Sequence, residues 1–290
     1  MYIASPLKNY YALTKPGIIY GNLVAASAGF LLASKGHIKL TLLLAALAGT
    51  SLVIASACVF NNYIDRDIDQ RMARTKKRAL AKKLIPARNA LIYGVVLGLV
   101  GFIILIAYVN WLTVAIGASA FLVYVFLYTF SKRYSVHSTI VGSLSGSAPP
   151  VAGYCAVTNN LDGAALLLFL VMAFWQMPHF YAIAIYRLKD YSAAGLPVLP
   201  VKKGVPVVKI QIILYILGYI VAVSLLKAYG YTGYTYLVVV LAVSLAWLRL
   251  AAKGFRRNSQ DQQWARSVFL FSLLVTLVFS FMISVDAWLP

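Results

Sequence analysis

The sequence predicts an all-α, polytopic membrane protein of nine transmembrane helices, and three observations carry that reading. The 290 residues are 62% hydrophobic and only 11% charged, with a mean hydropathy of +0.82; soluble domains carry about 25% charged residues. Stretches free of charge recur at about the 20 residues that a bilayer span needs. The cations between them fall in alternate loops, as membrane insertion demands.

The first span, 16–34, opens at "TKPG", with Pro16 in a first helical turn where its missing N–H is harmless. The second, 40–64, ends at a mixed acidic and basic segment. Residues 89–131 are free of charge and long enough for two spans, with a break near Asn110. The fifth, 138–161, is rich in Gly, Ser and Ala, small residues that let membrane helices approach closely. Pro149 and Pro150 should bend it. The sixth, 163–186, holds Gln176 and His179 near Pro178; polar groups at that depth face a partner or a cavity, not lipid. Stretches 210–226, 228–248 and 267–285 complete the set. The connection "RLKDYSAAGLPVLPVKKG" is too long for a minimal linker, and such loops are often functional. No cleavable signal peptide and no soluble domain stand out, so residues 1–290 read as one integral-membrane domain.

A net charge of +19 first suggests nucleic acid, but the positions argue against it. Of the 26 Lys and Arg, 23 lie in alternate connections, Arg66–Arg88 and Arg249–Arg266 (Arg257 included) among them. Only Lys35, Lys39 and Lys227 belong to the other side. The expected topology is N-terminus cytoplasmic and C-terminus outside. Cys58 and Cys155 lie within spans and suggest packing, neither a disulfide framework nor a zinc site.

The chain has seven acidic residues, all Asp, and three of them, Asp65, Asp67 and Asp69, sit in "NNYIDRDIDQRMARTKKR". If the second helix continues, Asn61, Asp65 and Asp69 form one stripe, since side chains four apart are neighbours, and Asp67 points away. Two carboxylates and a carboxamide, with Asn62 adjacent, make a hard-oxygen surface suited to Mg²⁺ carrying a diphosphate. The following Arg and Lys suit the same phosphates. The competing reading is a solvated, salt-bridged helix end.

The stretch "NNYIDRDID" resembles the N-D/Q-x-x-D-x-x-x-D signature of the UbiA-type intramembrane prenyltransferases, with Asn61, Asp65 and Asp69 at its fixed positions and Asn62 in place of the usual second acid or amide. The segments "RMARTKKR", "SLSGSAPPVAGYCAVT", "WQMPHFYAIAIYRLKDY" and "AAGLPVLPVKKG" are similar to one branch, the protohaem IX farnesyltransferases, and the likeness runs from "LTKPGIIYGNL" through nearly the whole chain. The resemblance implies nine helices around a central cavity in the bacterial inner membrane. It implies a diphosphate site at the cytoplasmic mouth, with Asn61, Asp65 and Asp69 as catalytic metal ligands. It implies farnesyl diphosphate and protohaem IX as substrates, Mg²⁺ as cofactor, and a downstream haem-modifying enzyme or terminal oxidase as recipient of the product.

Asn62 is a substrate-binding candidate, and Arg74, Lys77 and Arg78 are candidates for diphosphate or haem propionates, roles that positive-inside charge also explains for these cations. Tyr186, Arg187, Lys189 and Asp190 are further substrate-binding candidates. Many members of the superfamily carry a second D-x-x-x-D motif after the sixth helix; here Asp190 is the only acid in "YAIAIYRLKDYSAAG", so either a second metal is held differently or Arg187 and Lys189 replace it as direct diphosphate ligands, and a mixed site is the favoured expectation. His179 is the candidate contact for haem iron, against a membrane histidine satisfied by a neighbouring helix; His137 is weaker and His37 reads as a surface residue. The rival functions are prenylation of an aromatic quinone precursor and, in another class, transport. The acid at one membrane face, not the midplane, argues against transport.

Overall fold

The computed structural model describes residues 6–256 and 260–289, and these are mostly helical, with no strand among them. Arg257 and Pro290 lie outside the described residues. A short helix, α1 (Pro6–Leu13), leads through Lys15 into α2 (Pro16–Ser34). Lys15 is left-handed (φ 53°, ψ 67°), which turns the chain sharply before Pro16 starts the helix, as expected. There follow α3 (Leu40–Ile64), the single-turn α4 (Arg66–Arg71), α5 (Ala87–Tyr108) and α6 (Trp111–Leu122). The break at Asn110 is a helix cap: its side chain accepts from the Thr113 N–H at 2.8 Å.

The α6 helix continues through a π-helical turn, Val123–Tyr128, into α7 (Thr129–Tyr134). Next come α8 (Ser138–Gly146), α9 (Ala148–Thr158), α10 (Gly163–Tyr186), α11 (Leu188–Ala193), α12 (Leu199–Lys203), α13 (Val205–Ala228), α14 (Tyr234–Ala252) and α15 (Asp261–Val285). Among the described residues, eight helical segments are long and apolar enough to cross a membrane.

The fifth stretch is where the structure departs from a single bent span. It is split at Ser147 into α8 and α9. Pro149 and Pro150 have no N–H to return to the preceding turn, so the ladder is interrupted there. Ser147 Oγ donates to the Ser143 carbonyl at 2.7 Å and accepts from Gln176 Nε2 at 3.1 Å, so a buried glutamine of α10 closes the break. The small residues act as anticipated. A Cβ on Gly29 of α2 would fall on the Pro150 carbonyl, and one on Gly153 of α9 on the Ala26 carbonyl. These two helices are therefore in backbone contact.

The largest buried cluster joins α10, α13, α14 and α15 around Tyr219, Tyr236, Trp247 and Phe279. On the other side α3 and α5 meet through Gly49 and Gly101, and Ser56 Oγ donates to the Gly94 carbonyl at 2.6 Å. The long connection after α10 is folded, not slack. Tyr191, Ala194, Leu196 and Val198 pack on Ile68 and Met72 of the acidic-basic segment. That contact brings the two loops singled out in the sequence to one end of the bundle.

Candidate active site

The acidic stripe forms as the spacing predicts. Ile64 ends α3, but the Asp65 N–H still donates to the Asn61 carbonyl at 2.9 Å and the Asp69 N–H to the Asp65 carbonyl at 2.8 Å. The helical register therefore passes through the break. Asn61, Asn62, Asp65 and Asp69 are 2, 2, 3 and 5% exposed, whereas the Asp67 side chain is 52% exposed and faces away.

Each stripe residue meets a cation from elsewhere in the chain. Arg78 Nη1 donates to both Asp69 oxygens, at 2.9 and 2.8 Å. Lys132 Nζ pairs with Asp65 Oδ2. Lys15 Nζ donates to Asn61 Oδ1 at 2.5 Å, and Asn61 Nδ2 donates to Thr129 Oγ1 at 2.9 Å. Asn62 Nδ2 donates to the Leu13 carbonyl at 2.8 Å, tying α1 to α3. Arg133 holds Asp67 through both guanidinium amines, at 2.9 and 2.8 Å, and donates to the Ile64 carbonyl at 2.7 Å. That hydrogen bond from Arg133 holds the Asp67 carboxyl below its ordinary range. Burial lowers the Lys15 ammonium to about 8, with Arg78, Lys132 and Asp65 among the charges that act on it.

Lys15, Lys132 and Arg133 are the residues that sequence reasoning missed at this site, having been assigned to topology alone. Lys132 and Asp65 are 67 positions apart, so no local pattern links them. The π turn is the device that aims this region. Tyr124 and Tyr128, both in this turn, form a stacked pair (centroids 5.5 Å, interplanar 23°), with Lys132 Nζ 5.5 Å from the Tyr128 ring centroid. Such turns within α-helices are frequent at functional sites.

The remaining candidates divide. Arg74, Lys77 and Lys189 are exposed, while Tyr186, Arg187 and Asp190 are half-buried. Arg187 lies over the Tyr186 ring, 4.5 Å from its centroid. Burial pushes the Tyr191 hydroxyl up, and the charges of Arg74, Asp190, Arg187 and Arg78 all act on it, so the basic loop and the loop after α10 share one end of the molecule. His179 is not part of this cluster. It projects from α10 onto α15, its Nδ1 2.7 Å from Ser272 Oγ, with the Trp175 and Phe269 ring centroids 4.9 and 5.0 Å away. His137 and His37 are exposed, and both cysteines are buried and free.

The donor set fits Mg²⁺. Asp65 Oδ1 and Asn62 Oδ1 are buried and accept no hydrogen bond, although Arg133 Nη2 lies 4.0 Å from the former. Buried polar atoms nearly always have a partner, and two such oxygens beside Asp69 make a hard-ligand surface. No group of three or more His, Cys, Asp or Glu gathers among the described residues. The set is two carboxylates and two carboxamides, which suits an ion that keeps several waters and binds substrate phosphate.

Residues 22–274 match the UbiA prenyltransferase family. The chain belongs to that family. A protohaem IX farnesyltransferase of Sodalis glossinidius (strain morsitans) is 52% identical over 285 residues, 98% of this chain and 96% of the relative. The fold of this UbiA-family chain also resembles that of a digeranylgeranylglyceryl phosphate synthase, with TM-score 0.79, 18% identity and coverage of 97% and 98% of the two chains. A UbiA homologue from Archaeoglobus fulgidus bound to GPP and Mg²⁺ superposes with TM-score 0.70 at 14% identity, over 95% and 99%. Membership in a prenyltransferase family removes the transport reading. The enzyme is a multi-pass membrane protein of UbiA fold.

Proposed function

We propose that this enzyme transfers the farnesyl group of farnesyl diphosphate to a vinyl group of protohaem IX, with addition of water, giving haem O and diphosphate. The observation that carries the reading is the 52% identity, over nearly the whole of both chains, to a protohaem IX farnesyltransferase. The buried acid stripe with cations converging on it supplies the matching chemistry.

In this reading Asn61, Asn62, Asp65 and Asp69 hold Mg²⁺. When bound, the metal neutralises the diphosphate and stabilises charge developing on it as the allylic C–O bond breaks. Lys15, Arg78 and Lys132 grip the same diphosphate, with Arg74, Lys77, Arg187 and Lys189 at the rim. Cations fixed at the departing oxygens act before the reaction and need no reorganisation during it. The diphosphate leaves with the bonding electrons. Tyr124 and Tyr128 face the allylic cation, which a ring face attracts most strongly when water is excluded. The vinyl π pair closes the new C–C bond. Water adds to the carbon cation left beside the porphyrin and releases a proton. His179 contacts haem iron, Tyr186 and Asp190 border the acceptor, and the product passes to a haem-modifying enzyme or terminal oxidase.

The same reading gives nine crossings around a central cavity, α8 and α9 together forming the fifth, with the N-terminus and the diphosphate site cytoplasmic and the C-terminus outside. The cation distribution and the combined length of α8 and α9, Ser138–Thr158, support it. The test of function is incubation of purified protein with protohaem, farnesyl diphosphate and Mg²⁺, followed by mass spectrometry of the haem. A farnesyl-plus-water adduct is expected. Unchanged haem, with prenylation of a hydroxybenzoate or naphthoate instead, overturns the acceptor.

A further inference from the structure

Ser272 Oγ lies 2.6 Å from the Phe269 carbonyl and 2.7 Å from His179 Nδ1. A hydroxyl carries one proton. Two oxygens 2.6 Å apart are at O–H···O distance and repel unless that proton lies between them, so it is committed to the Phe269 carbonyl. The Nδ1 contact must then be made with a proton from the imidazole. In a neutral ring only one nitrogen is protonated, and Nε2 keeps its lone pair.

No hydrogen bond engages Nε2 among the described residues, and it is not among their fully enclosed, unpartnered polar atoms. The ring itself cannot wander. Trp175 stacks on it at 28° and Phe269 lies on another side, while Trp175 Nε1 donates to the Ser272 carbonyl at 2.8 Å. Ser272 is 0% exposed and is tied to α10 through both its side chain and its backbone.

We propose that Ser272 is a positioning residue that locks His179 in the Nδ1–H tautomer and so presents Nε2 as the axial ligand for the iron of the haem acceptor. The assignment rests on the haem reading given above. Its logic is that of histidine ligands generally, whose second ring nitrogen donates to a fixed acceptor that sets tautomer and orientation. Here the acceptor is a serine oxygen whose own proton is spent elsewhere.

The chain has only three histidines, so ¹⁵N-histidine labelling of the full protein in nanodiscs gives three pairs of ring signals, with His179 assigned by its loss in His179→Ala. The expected spectrum shows His179 protonated at Nδ1; protonation at Nε2 instead overturns the proposal. The second measurement is binding of ferric haem and of metal-free protoporphyrin IX to wild type, Ser272→Ala and His179→Ala. Ser272→Ala should shift the Soret band and weaken ferric haem binding about 10-fold or more, the usual cost of losing such a supporting contact, yet bind metal-free porphyrin as wild type does. If His179→Ala alters the haem spectrum and Ser272→Ala does not, the Ser272 assignment falls and the haem reading of His179 stands. If neither variant changes the spectrum, both fall. Should Ser272→Ala fail to fold, the tautomer measured in the wild-type protein decides.

Discussion

Arg78 Nη1 lies 2.9 and 2.8 Å from the two carboxylate oxygens of Asp69, nine residues earlier in the chain, and closes the acidic-basic segment on itself. The acid and the base of this segment are one structure. Thr75 Oγ1 fastens the turn between them by donating to the Asp69 carbonyl at 3.0 Å. The arrangement leads to tests that separate metal binding, charge compensation, topology and packing.

Asp65→Asn and Asp69→Asn should each lower turnover by about 10²-fold or more, since each removes a carboxylate charge from the proposed metal site. Asp67→Asn should cost far less, because Asp67 faces away and pairs with Arg133 at a half-exposed position. Haem O formation by mass spectrometry gives the comparison; equal losses at all three positions would show that Asp67 also binds metal.

Chelation with EDTA should abolish turnover, and added Mg²⁺ should restore it. Asn62→Ala, which deletes one of the two unpartnered buried oxygens of the acidic segment, should raise the Mg²⁺ concentration needed for half-maximal rate. Activity that survives exhaustive chelation would exclude the metal.

Lys132→Met should destabilise the protein by about 3–5 kcal/mol, the usual cost of leaving one member of a buried ion pair alone. The Lys132 side chain is 17% exposed and that of Asp65 4%, so the carboxylate left alone is the buried member of the pair. Asp65→Asn combined with Lys132→Met should recover much of the thermal stability and none of the activity. A melting series on the two single variants and the double variant measures this coupling; additive losses would mean that the pair contributes nothing.

Reporter fusions after Lys83, Arg133, Lys203 and Arg257 should report cytoplasm, and those after Lys35, Asn160, Tyr231 and Pro290 the opposite side. A cytoplasmic signal at Pro290 means an even number of crossings, which would make α8 and α9 a re-entrant pair instead of a span.

Gly153→Val should destabilise by about 1–3 kcal/mol or more, the range for overpacking a tight contact. The added atoms meet backbone of α2 at Ala26 and Phe30, which cannot swing aside as a side chain does. Gly21→Ala, at an open position of α2, is the control and should not lower the melting temperature.

By itself the sequence determined what depends on local spacing and on the membrane. The membrane-spanning character follows from apolar stretches of bilayer length. The Asn61–Asp65–Asp69 stripe follows from the helical repeat, which carries its register through the end of α3. Tertiary structure alone decided which cations reach the stripe. Lys15 and Lys132 come from positions 46 and 67 residues away from their partners and look like ordinary topology charges in the sequence. They arrive because the start of α2, which follows Lys15, and α7, which carries Lys132, meet the C-terminal end of α3, a consequence of packing that no helical period encodes. The split of the fifth stretch at Ser147 needed Gln176 of α10 to close it. The environment of His179 was likewise undecided, because its partner Ser272 lies 93 residues away. Side-chain pairing between helices is set by which faces bury each other, and that choice is made by the whole bundle at once.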